Sequence, residues 1–66
     1  MAGYQRGREL HELHRRLDET RREIARSKAA LTAGIANARS RAIEVERLEV
    51  ATREAEQLEG QIRSLE

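Results

Sequence analysis

Six apolar residues recur at seven-residue intervals along the chain: Leu10, Leu17, Ile24, Leu31, Ala38 and Val45. Leu13, Leu48, Ala55 and Ile62 fall on the companion positions of the same repeat. A seven-residue apolar period holds one narrow stripe of a helix against another helix. The pattern predicts an all-α coiled coil. Residues 1–8 carry Gly3, Gly7 and little apolar content, which predicts a frayed end. From Glu9 onward nearly every residue is a good or tolerated helix former.

One stretch interrupts this uniformity: Leu31-Thr32-Ala33-Gly34-Ile35-Ala36-Asn37-Ala38. Gly34 suits the left-handed residue that ends a helix. Asn37 or Ser40 suits the cap of a following one. A break here divides the chain into helices over about 9–33 and 38–66, nearly equal arms suited to a hairpin with its turn near Gly34. The competing reading is one unbroken helix of about 99 Å. The apolar register crosses the break unaltered, which favours continuity.

With Leu10 at position a of the heptad, the d positions are Leu13, Thr20, Ser27, Gly34, Arg41, Leu48, Ala55 and Ile62. The d seam weakens in the middle. Towards the C-terminus Ala51, Leu58 and Leu65, at position g, take over. A parallel in-register dimer would pair Thr20, Ser27, Gly34 and Arg41 each with itself. It would also set Arg16 against Arg21 and Glu44 against Glu49, and burying like charges is costly.

An antiparallel arrangement about residue 36 does better. Leu10 then meets Ile62, Leu17 meets Ala55, Ile24 meets Leu48, Thr20 meets Thr52 and Ser27 meets Val45. At the flanks Arg16 meets Glu56 and Lys28 meets Glu44, while Glu23 with Glu49 repels. Residues 1–33 hold eight basic against five acidic groups, and residues 34–66 hold five against seven. The halves therefore carry opposite net charge. Exposed pairs of this kind are each worth well under about 1 kcal/mol, so they choose orientation more than they hold the fold.

A hairpin and two continuous antiparallel helices make the same pairs. The expected helix–helix interface is Leu10, Leu13, Leu17, Ile24, Leu31, Ile35, Ala38, Val45, Leu48, Ala55, Leu58, Ile62 and Leu65. Ala30, Ile35, Ala42, Ile43, Val50 and Leu65 form apolar edges that a single seam does not cover. Further assembly is expected, as a helical bundle of two chains or by docking on a larger protein.

Composition narrows the classes of function. Sixty-six residues without Cys, with one aromatic residue (Tyr4), make a marginal core for a lone chain. Thirteen basic and twelve acidic groups nearly balance. A nucleic-acid binder usually has a clear basic excess, so that role is not expected. No apolar run approaches the ~20 residues of a membrane span, and Met1 to Arg8 lacks the apolar core of a signal peptide. A cytoplasmic address is the expectation.

Little chemistry is written in the side chains. His11-Glu12-Leu13-His14 places two imidazoles three residues apart, not the four of a metalloprotease helix. With Asp18 one turn on they could approach a metal, yet zinc takes three or four ligands; exposed imidazoles are the simpler expectation. Thr20-Arg21-Arg22-Glu23 fits a capping box but lies inside a running heptad. Arg15, Arg16, Arg21, Arg22 and Arg26 form a basic strip interleaved with Glu12, Asp18, Glu19 and Glu23, as on a solvated face. No phosphate loop and no nucleophile–base pair is present. No catalysis, cofactor or metal is expected.

The segment from Arg53 to Glu66, with Glu59-Gly60-Gln61-Ile62, resembles the second coiled-coil helix of the Gre transcript-cleavage factors. Ile35-Ala36-Asn37-Ala38-Arg39 resembles their helix before the hairpin tip, and Gly3-Tyr4 is similar to their start. The resemblance implies a hairpin that enters the secondary channel of RNA polymerase. In that family acidic tip residues position Mg²⁺. Here the tip holds Asn37, Arg39, Ser40 and Arg41 and no Asp, which implies blocking and not cleavage. The principal expectation is a non-enzymatic module for self-association or docking on a larger assembly. The alternatives are a regulator inserting a hairpin into such a machine, and a continuous-helix antiparallel dimer serving as a spacer.

Overall fold

A computed structural model describes residues 2–66, with side-chain surroundings from Arg6 onward. Two helices, α1 (Ala2–Ala33) and α2 (Ala38–Leu65), are joined by residues 34–37 and pack against each other along their length. The molecule is an all-α helical hairpin measuring 54 × 14 × 12 Å. An unbroken helix is excluded by the turn.

The break forms where the sequence weakens. Gly34 takes φ +89°, and its N–H donates to the Leu31 carbonyl at 3.3 Å, closing the last turn of α1. A side chain is rarely tolerated in that left-handed conformation. Asn37 is extended (φ −91°, ψ 121°) and its Oδ1 accepts from the N–H groups of Arg39 at 2.8 Å and Ser40 at 3.3 Å. Two of the free N–H groups at the start of α2 are thereby satisfied. Of the two candidate caps, Asn37 fills the role.

Helix α1 begins at Ala2, where fraying through Arg8 was the expectation; Met1 lies outside the described residues. The segment holds no Pro, and each interior Gly costs only about 1 kcal/mol, so the helix runs through Gly3 and Gly7.

The core lies away from the turn. Leu17, Ala55, Leu58 and Ile62 form one buried cluster, with Leu10, Leu13 and Ile24 packed around it. Ala51, Thr20 and Ser27 are also buried. The Thr20 hydroxyl donates to the Arg16 carbonyl at 2.9 Å, one turn back on its own helix. No buried side-chain polar atom among the described residues lacks a partner.

The inward stripe changes phase between the helices. On α1 the shielded residues are Leu10, Leu13, Leu17, Thr20, Ile24, Ser27 and Leu31, the a and d positions, with Ala30 half-buried beside them. On α2 the stripe is Glu44, Leu48, Ala51, Ala55, Leu58, Ile62 and Leu65, the g and d positions, with Glu54, Glu59 and Gly60 half-buried beside it. Two members of the expected interface therefore lie outside it: Ala38 is exposed, and so is Val45 at 38%. The linker frees α2 to choose its own rotation. It turns the stripe richer in large residues inwards, and Val45, about 100° round the helix from Glu44, goes to the flank. The heptad that crosses the turn is a coincidence of spacing.

Candidate interaction surface

Most of the expected interface residues sit between the helices. Leu17, Ala55, Leu58 and Ile62 are buried, and Leu10, Leu13, Ile24, Leu31, Ile35, Leu48 and Leu65 are half-buried. Ala51, Thr20 and Ser27 complete the seam. They were legible as g and d positions but too small or too polar to weigh as interface residues.

Outside the seam, α2 carries an apolar surface with no counterpart within the hairpin. Ile43 is 46% exposed and Val50 is 53% exposed. They lie seven residues apart, two helical turns, on one line along α2. Beside that line runs an open groove of about 510 Å³ whose walls include Glu23, Arg26 and Ser27 of α1 with Arg47, Val50 and Glu54 of α2. Val45 lies on the opposite flank. Of the other expected apolar edges, Ala42 is exposed, whereas Ala30, Ile35 and Leu65 are half-buried.

The charged groups form a loose surface lattice. Arg15 bridges Glu12 and Glu19, the latter at 2.6 Å, within α1. Hydrogen bonding and charge from Arg15 hold the Glu12 carboxyl below the usual carboxylate range, and Glu12 in turn raises Arg15. Between the helices, Arg21 reaches Glu59 at 3.4 Å and Arg16 reaches Glu54 at 3.9 Å. Sequence pairing about residue 36 assigned Arg16 to Glu56. The altered phase of α2 brings Glu54 to that flank, and Glu44 meets Arg47 of its own helix at 3.8 Å, not Lys28.

His11, His14 and Asp18 are exposed, and no group of three or more His, Cys, Asp or Glu converges among the described residues. The tip presents Asn37, Arg39, Ser40 and Arg41 to solvent, and no carboxylate occurs from Thr32 to Ile43. No helix among the described residues is long and apolar enough to cross a membrane. No protein-family model, curated protein or solved structure matches the chain.

Proposed function

We propose that this chain is a protein-binding assembly module that works without catalysis, presenting the outer face of its hairpin to other helices. The observation carrying this reading is the exposure of Ile43 and Val50 on one line of α2, beside a core that contains no fully buried large side chain. β-Branched residues at the surface of a short helix add little to helix formation. They gain free energy when another helix covers them, at about 25 cal/mol per Å² of apolar surface removed from water. The near-neutral charge and the interleaved Arg and Glu residues favour recognition of a protein surface over a polyanion.

The test is chemical crosslinking of the chain in its source cell, compared with the I43E/V50E variant. The wild type is expected to crosslink to a protein, either a second copy or a larger partner, and the variant to lose that product. An identical crosslink pattern from both chains, or none from the wild type, contradicts the reading.

A further inference from the structure

We infer that two copies of the chain pack antiparallel through the outer face of α2, with the two-fold axis passing beside Val50. The inference deepens the proposed function by naming the partner and the surface, and it rests on that reading.

Surface area points to a second copy. The chain exposes 5341 Å², against about 4,300 Å² for a compact protein of its mass. The excess, about 1,000 Å², is more than the ~800 Å² that each partner contributes to a standard interface, so the open face is large enough for one.

Charge fixes which face and which register. Ile43, Val50 and Gln57 recur every seven residues and share one line of α2. Arg47 and Glu54 flank this line on the side towards α1, and Glu46 and Arg53 flank it on the far side, as helical geometry requires. In an isologous antiparallel pair, each flank meets the same flank of the other copy. Centring the two-fold on Val50 sets Arg47 opposite Glu54 of the second copy and Glu46 opposite its Arg53. Symmetry repeats both, giving four attractive pairs and no repulsive one at these positions. Val50 then meets Val50, and Ile43 covers the stem of Gln57. Moving the axis to the 46–47 position would set Glu46 against Glu46 and Arg47 against Arg47.

The required groups are accessible. Glu46 and Arg53 enter none of the ion pairs found among the described residues, and Arg47 and Glu54 make only long contacts, at 3.8 and 3.9 Å. The open groove between α1 and α2 would lie beside the second copy, with both α1 helices on the same side of the α2 pair.

Sedimentation equilibrium of the full chain, with helicity followed by circular dichroism, tests this. The wild type is expected to be a dimer. E46R and R53E alone are each expected to weaken it about tenfold, and the E46R/R53E double variant to restore it. Residues 46 and 53 of one chain are about 10.5 Å apart along the helix, so rescue must come from the second copy. Oxidised V50C is expected to give a covalent dimer, and V45C is not. A monomeric wild type overturns the inference while leaving docking on another protein intact. A dimer indifferent to both charge reversals, or crosslinked through V45C and not V50C, overturns the surface while leaving self-association intact.

Discussion

Away from the turn, the hairpin packs Leu17, Leu58 and Ile62 with small Ala55 between the helices, and none is more than 5% exposed except Ala55 at 6%. Near the turn, Leu31, Ile35 and Leu48 are only half-buried, and Ile43, Val45 and Val50 face outwards. The same heptad spacing runs through both regions, so periodicity alone does not explain the contrast. Side-chain size and helix rotation do. At the far end Leu10, Leu13 and Leu17 of α1 share one cluster with Leu58 and Ile62 of α2, and small Ala55 lets the helices close. Towards the turn the seam offers Ser27, Leu31 and Leu48, too few large residues to close a layer, and Ile43, Val45 and Val50 remain outside.

Truncating the packed end is expected to have the largest effect. Leu58→Ala leaves a cavity at the best-buried position and should cost about 2–5 kcal/mol, enough to unfold a hairpin of this size. Thermal and urea denaturation followed by circular dichroism measure it. Leu31→Ala, at the half-buried turn end, should cost less than half as much. Equal losses would break the contrast between the two regions.

Turn substitutions come next. Gly34→Ala would force a side chain into φ +89°, costing about 1–2 kcal/mol, although a Cβ there would meet nothing within 4 Å. The cost is torsional, so Gly34→Asn should recover part of it. Asn37→Ala removes the acceptor for Arg39 and Ser40 and should cost about 1 kcal/mol. In hydrogen exchange, amides of 51–62 should outlast those of 38–48, and loss of the Asn37 cap should widen that gap.

The smallest effect is electrostatic. The folded-state pKa of Glu12 is lowered by Arg15, so its contribution is present above the ordinary carboxylate range and fades as pH falls through the lowered value. Glu12 is exposed, and E12Q should lower the melting temperature only slightly at neutral pH, the difference from wild type vanishing as pH falls through the lowered Glu12 value.

Much of this was legible in the residues. Helix content followed from composition, a break at Gly34 stood against a register that favoured continuity, and the cap was narrowed to Asn37 or Ser40. Antiparallel orientation followed from the self-repelling Arg41 layer and the opposite charge of the two halves. The rotation of α2 was legible only in part: the shift to Ala51, Leu58 and Leu65 showed towards the C-terminus, but not its extension back to Glu44. Leu31, Ala38 and Val45 continue one heptad across the turn, and nothing in the spacing distinguishes a preserved stripe from an accidental one. Only the competition between stripes on α2 decides it: Leu48, Ala55 and Ile62 belong to both, and Leu58 and Leu65 at g outweigh Val45, Thr52 and Glu59 at a. Small seam residues such as Ala51 and Ser27 carry too little apolar surface to signal burial, although they let the helices approach.

The central claim is that the chain folds back on itself with its core away from the turn. Spin labels at His11 and Arg63, both exposed, read it directly when labelled chain is diluted into unlabelled chain so that only distances within one molecule are seen. Helices packed 8–10 Å apart place the labels within about 25 Å of each other. A separation near 78 Å, the rise of about 52 helical residues, would mean an unbroken helix and contradict the account.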